Sequence, residues 1–280
     1  MLRRPALYYA LKIVASFILL IVLAGCPESE GGKVIVKGST TMLPIMQQAA
    51  EVFLKNSKID LVISGGGSGT GITALLEGEC DIAASSRELK PEEEQKAKDK
   101  GMELKSLAIA YDMVVPIVNT QNPIQNISLT QLEAIYSGKI VKWQELESGE
   151  GEIVVVTRDT NSGTYEVWFE KVMHKKPIRR DALLHASTAT ILDTVKNNPK
   201  AIGYVGFGYV DNSVKALSID NIPPTKLNGR KGLYPVSRKL FVIFNEHNLT
   251  KAAKRFIDFL LSAEGQKIVA SCSFITLFEN

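Results

Sequence analysis

The chain is short of the side chains on which most enzyme chemistry depends. Only three histidines occur in 280 residues, His174, His185 and His247, and none lies in a turn rich in hydroxyls. A serine hydroxyl without a base beside it is a weak nucleophile, and no Ser-x-x-Lys pair occurs anywhere. Ser68 sits in Gly66-Gly67-Ser68-Gly69-Thr70, which lacks the final glycine of a nucleophile elbow. The glycine run at 65–71 has no lysine where an NTPase phosphate loop needs one, and its spacing misses the dinucleotide fingerprint. No cysteine–histidine cluster has metal-ligand spacing. No catalytic residue, metal or cofactor is therefore expected. An excess of one charge is missing too. The 33 basic and 30 acidic residues leave a net +3, and no basic patch suited to nucleic acid accompanies it. Binding, not catalysis, is the expected activity.

A long apolar run is also absent. Arg3, Arg4 and Lys12 precede the apolar residues 13–24. That stretch is too short to cross a bilayer core of ~30 Å as a lasting helix, but it suits the core of a signal peptide. It ends in Leu23-Ala24-Gly25-Cys26, which resembles the lipobox of prokaryotic lipoproteins. On that resemblance residues 1–25 are a signal peptide, Cys26 is lipidated, and 26–32 form a polar tether. The alternatives are a plain secretory signal cut nearby and an uncleaved anchor. Either way the chain works outside the cytoplasm, held at the membrane through Cys26 where lipidation occurs. Two further cysteines, Cys80 and Cys272, either form one disulfide, which an oxidising compartment permits, or stand as buried free thiols.

What the sequence has in quantity is alternation. From Lys33 onward short β-branched runs give way to turns rich in Ser, Thr and Gly, and then to helical patterns. The turns 39–41, 64–70 and 85–87 each follow a strand. In an open α/β sheet such turns share one edge, where ligands bind. The clearest unit is the strand at 153–156, the turn Thr157-Arg158-Asp159-Thr160-Asn161-Ser162-Gly163-Thr164, and a helix. That helix carries Tyr165, Trp168, Phe169 and Val172 at helical spacing on one face. A strand, a small-residue turn and a helix start place N–H groups and a positive helix end at one point, a site suited to an anion. Arg158 adds a planar fork of donors, and Ser162 and Thr164 add hydroxyls. The plainer reading is an ordinary capped turn.

Two extended runs divide the chain. Residues 111–118, with Pro116 inside, read as an edge or connecting strand, and 234–244 as the return. A helix at 188–197 is expected to bury Ala189, Leu192 and Val195. The fold class is α/β with two lobes, 33–112 with 237–280 as lobe I and 113–236 as lobe II. Two extended hinge crossings join them, and the ligand cleft lies between.

Gly38-Ser39-Thr40-Thr41, Gly67-Ser68-Gly69, the segment 81–89 ending in Ser85-Ser86-Arg87-Glu88-Leu89, and the turn 157–164 resemble phosphate-binding proteins of the phosphate-specific ABC importer. Tyr234-Pro235-Val236-Ser237-Arg238 and Ala263-Glu264-Gly265-Gln266 are similar too. The likeness runs in order through nearly everything after Lys33. It implies a periplasmic-binding-protein fold closing on one dehydrated phosphate, which it hands to permease subunits as a monomer. It also implies Ser39, Thr40, Thr41, Ser68, Arg158, Ser162, Gly163 and Thr164 as phosphate ligands. One departure stands out. Some members carry Asp where Ser86 stands here, and a hydroxyl has no charge with which to repel sulfate. Ser86 and Arg87 still count among the candidate phosphate-binding residues, Arg87 either facing the ligand as a second cation or pairing with a carboxylate such as Glu88 or Asp81. Asp159 either accepts a ligand proton or pairs with Arg158. The competing expectations are a receptor for sulfate, molybdate or tungstate, and an extracytoplasmic phosphate-ester enzyme.

Overall fold

The computed structural model describes residues 32–278. The expected signal peptide 1–25, Cys26 and tether residues 27–31 lie outside the described residues. Gly32, assigned to the tether, already belongs to the first strand. Strands and helices alternate as expected. β1 (Gly32–Gly38), β2 (Ile59–Ser64) and β3 (Ile82–Ser85) lie parallel, with β1 between the other two. α1 (Leu43–Lys55), α2 (Ser68–Leu76) and α3 (Pro91–Asp99) follow them in turn.

β4 (Leu104–Asn119) joins what the sequence divides into a strand at 104–110 and a crossing at 111–118. Its first ten residues pair antiparallel with β11 (Ser237–Asn245), and Val114–Val118 pair with β8 (Ala201–Gly206). Pro116 lacks an N–H to donate. Its carbonyl accepts the N–H of Leu217 at 3.0 Å, so the strand is a connecting one deep in the sheet and not an edge. Between the two passes come β5 (Asn126–Ile127), α4 (Leu129–Ser137), β6 (Val154–Arg158), α5 (Gly163–Lys171), β7 (Leu183–His185) and α6 (Thr188–Asn197). After β8 come β9 (Val214–Ala216), β10 (Ser218–Ile219) and α7 (Lys226–Arg230). α8 (Lys251–Leu261) and α9 (Ala263–Ser271) close the chain. The strand order is β2-β1-β3-β11-β4-β8-β6-β7, with β9 beside β4.

The apolar residues separate into two main cores. One gathers Val34, Val36, Ile45 and Ala49 with Phe256, Ile257 and Leu260, so the C-terminal helices pack back on the first strands. The other is aromatic. Trp168 stacks on Tyr204 at 4.3 Å, beside Tyr136, Trp143 and Tyr234. Two helix faces differ from expectation. α5 buries Thr164, Val167 and Trp168, while Tyr165 and Phe169 stack on each other at its flank, 5.6 Å apart. α6 buries Thr188, Ile191 and Val195, leaving Ala189 exposed. In both, polar N-terminal residues must face inward, which rotates the buried stripe. Cys80 and Cys272 are free thiols packed against different clusters, and burial pushes the Cys80 thiol up to about 11. Among the described residues no helix is long and apolar enough to cross a membrane.

Candidate functional site

The ends of β1, β2 and β3 bring the first three turns together. Ser39 donates its N–H to the Ala84 carbonyl at 2.8 Å, and Gly67 donates to the Gly38 carbonyl at 2.9 Å. Ser86 donates its N–H to Ser68 Oγ at 3.0 Å. Gly38 holds this junction with φ 141°, and a Cβ there would lie 2.2 Å from the Ala84 carbonyl oxygen. Only glycine allows so close a crossing. Ser68 then opens α2, while Thr40 and Thr41 form the 3₁₀ turn leading into α1.

Two helix starts from the other half face these turns. Ser162 caps α5, its Oγ accepting the Tyr165 N–H at 3.3 Å, and Ser187 caps α6 by accepting the Thr190 N–H at 3.2 Å. Thr41 Oγ1 meets Thr164 Oγ1 at 2.9 Å, and Thr40 Oγ1 meets Thr188 Oγ1 at 3.2 Å. Gly69 donates its N–H to the Asn161 carbonyl at 2.9 Å. Gly163 lies so close to Ser68 and Ser86 that a Cβ would sit 2.4 and 2.7 Å from their hydroxyl oxygens. The positive ends of four helical segments thus converge on one buried cluster of hydroxyls, an arrangement that favours negative charge.

Arg158, 1% exposed, is the cation at its centre. Nε donates to the His185 carbonyl at 3.0 Å and Nη2 to the Ala186 carbonyl at 2.9 Å. Nη1 reaches Thr40 Oγ1 at 3.0 Å and Thr188 Oγ1 at 3.2 Å. Its nearest carboxylate oxygen, Asp159 Oδ2, lies at 3.4 Å, and Asp159 Oδ1 accepts the Asn161 N–H at 3.0 Å. Asp159 is thus the partner of Arg158. Burial lowers the proton affinity of Arg158, and Asp159 opposes that.

Arg87 corrects an expectation. Its guanidinium grips Glu93 with two bonds of 2.7 Å and also donates to the Glu88 carbonyl at 2.7 Å. Its carboxylate partner is Glu93 and neither Asp81 nor Glu88, and among the described residues its guanidinium makes no hydrogen bond to the hydroxyl cluster. Ser39, Thr40, Thr41, Ser68, Ser86, Arg158, Ser162, Gly163 and Thr164 all lie at the turns just described.

Sequence reasoning missed three members. The sequence shows Thr188 only as a helix start. Arg238 belonged to a quoted motif without a role, and its Nη1 donates to Thr164 Oγ1 at 2.9 Å. Asp112 takes Arg238 Nε and Nη2 on Oδ2 at 2.9 and 2.7 Å. Burial pushes the Asp112 carboxyl up, against the pull of Arg238 and of the Met113 and Phe207 N–H groups. A lone carboxylate within the apolar run Tyr111-Asp112-Met113-Val114 was the available signal, since a buried charge demands a partner. Among the described residues no group of three or more His, Cys, Asp or Glu could hold a metal ion.

Residues 27–264 match the PBP superfamily domain. The phosphate-binding protein PstS of Staphylococcus epidermidis is 33% identical over 270 residues, covering 88% of this chain and 82% of the relative. PstS of Borreliella burgdorferi is 30% identical over 271 residues, covering 91% and 94%. A Clostridium perfringens substrate-binding protein of the phosphate ABC transporter type, solved with bound phosphate, is 37% identical. It matches with a TM-score of 0.82 over 88% of this chain and 100% of its own. An ABC-type phosphate transport receptor from Vibrio cholerae is 30% identical with a TM-score of 0.72, covering 87% and 99%.

Proposed function

We infer the function from the premise that this chain belongs to the PBP superfamily and, within it, to the phosphate-binding proteins. It binds inorganic phosphate and serves an ABC-type phosphate importer. We propose that the ion is held by Ser39, Thr40, Thr41 and Ser68 from one lobe and by Arg158, Ser162, Gly163 and Thr164 from the other, with Ser86 at the junction. Stripping water from an anion is costly, and a site of many N–H and O–H donors offsets that cost without full countercharge. The lobes, 33–112 with 237–280 and 113–236, close by flexing where β4 and β11 cross between them. Outside the cytoplasm, a lipid on Cys26 would keep the receptor beside the permease that takes its cargo, with the chain acting as a monomer. It is a receptor and not an enzyme.

The observation that carries this reading is Arg158. It is buried and spans the two lobes through Thr40, with hydroxyls and carbonyls as most of its partners. Titration calorimetry on residues 27–280, stripped of co-purified anions, tests it. Phosphate should bind tightly and sulfate weakly. Equal binding of both would mark a general oxyanion receptor, and binding of neither would overturn the proposal.

A further inference from the structure

Asp112 and Arg238 were outside the expected site, yet they stand where the two halves and the hydroxyl cluster meet. They are register partners on β4 and β11, and Asp112 lies two residues before Val114, where the pairing of β4 passes to β8. Asp112 is wholly buried. Its Oδ2 takes both Nε and Nη2 of Arg238, and its Oδ1 takes the Phe207 N–H at 2.9 Å. That leaves Nη1 of Arg238, which donates to Thr164 Oγ1 at 2.9 Å and to the Ser86 carbonyl at 3.3 Å. One partner belongs to each half. Gly206 makes room for this arrangement. A Cβ there would lie 2.6 Å from Thr41 Cγ2, 2.9 Å from Asp112 Oδ2 and 3.2 Å from Arg238 Nη2. A buried ion pair is a poor device for stability alone, since apolar residues of similar volume serve as well or better. This one also points its unshared donor at two candidate ligand residues, one of them Ser86.

We propose that Asp112 and Arg238 are a specificity-determining pair for the oxyanion, Arg238 supplying a second cationic donor from the hinge and Asp112 a fixed negative charge at the edge of the site. The inference rests on the phosphate reading. The pair does from the hinge what the Ser86 hydroxyl, carrying no charge, cannot do from its turn. Asp112 is the positioning residue. It locks the planar fork of Arg238 by taking Nε and Nη2 on the one oxygen Oδ2, so that Nη1 faces the cluster, and the always-charged guanidinium opposes the burial that raises its carboxyl. A proton-free dianion such as sulfate meets that carboxylate with acceptors only. Phosphate as its dianion carries the same charge as sulfate but brings a proton to donate, and as its monoanion it brings two protons and one negative charge fewer.

Calorimetry with phosphate and with sulfate, on the wild type and on Asp112→Asn, Arg238→Lys and Arg238→Gln, tests this. Asp112→Asn should lower the phosphate-to-sulfate affinity ratio by about tenfold or more, an effect a merely structural role would not produce. Arg238→Gln should weaken phosphate binding by about tenfold, with Arg238→Lys recovering part of the loss. The double variant Asp112→Asn/Arg238→Gln leaves no unpaired buried charge, so it guards against misfolding, and it too should discriminate poorly. An unchanged ratio in a folded Asp112 variant or in the double variant would overturn the proposal, as would wild-type phosphate affinity in Arg238→Gln. Failure of the wild type to bind phosphate would instead overturn the receptor reading itself.

Discussion

Arg87 and Arg158 look alike in sequence, each closing a strand-and-turn unit beside hydroxyl residues, and the structure gives them opposite surroundings. Arg87 lies against Glu93 in a two-pronged pair of 2.7 Å bonds. Arg158 is held mainly by the carbonyls of His185 and Ala186 and the hydroxyls of Thr40 and Thr188, with a carboxylate only at 3.4 Å. Arg87, with its donors spent on Glu93 and the Glu88 carbonyl and none aimed at the hydroxyl cluster, ties a helix to a turn. A guanidinium oriented by neutral dipoles keeps its field available to an incoming anion. The partner, not the arginine, decides which task is performed.

The sharpest test of this contrast is Arg158→Ala. Removing a buried charged donor costs about 3 kcal/mol of binding, so phosphate affinity of the folded variant measured by calorimetry should fall about a hundredfold. Arg87→Ala should act on stability and spare binding. Glu93 would be left in a largely buried position without its partner, lowering stability by about 2 kcal/mol in chemical unfolding; phosphate affinity should stay within about threefold of wild type. An Arg87 variant that lost binding as badly as Arg158→Ala would erase the distinction.

The acid limb of unfolding sharpens the same comparison. Burial raises the Glu93 carboxyl, but the Arg87 fork and the Lys90 N–H outweigh it and leave its pKa below the ordinary 4.5. A depressed carboxyl contributes stability above its unfolded-state value and loses it as pH falls through the folded one. Glu93→Gln should therefore be less stable near neutrality and show a flatter loss of stability below about pH 4.5. An acid limb identical to wild type would show that the pair contributes nothing. The smallest effect is expected at the cleft rim, where Lys90 Nζ meets Glu166 at 2.8 Å with both side chains partly exposed. Lys90→Ala should cost phosphate binding about 0.5 kcal/mol at low ionic strength and nothing measurable in high salt.

Much of the site was legible because its parts are local. A β-branched run followed by Ser, Gly and Thr declares a strand end and a helix start within about ten residues, and parallel strand ends share an edge. Hence Thr41, Ser68 and Thr164 stand out from the sequence alone. What escaped is what the chain assembles over distance. Asp112 and Arg238 stand 126 residues apart, and Thr40 and Thr188 stand 148 apart. Periodicity says nothing about which turn will face which. The same limit explains the single strand β4, whose continuity through Pro116 depends on neighbours supplied later by β8, β9 and β11. It also explains α5 and α6, where Thr164 and Thr188 turned inward and displaced the apolar stripe.

The continuity of β4 sets the kind of motion available to the molecule. A loop hinge swings freely, whereas a strand hydrogen-bonded to β11 on one stretch and to β8 on the next behaves as a ribbon. Such a ribbon is stiff against in-plane bending and compliant in twist. On the two-lobe reading proposed above, opening would be a torsion about the strand axis, and release of cargo would work against the stiffness of the crossing strands as well as the grip on the ion.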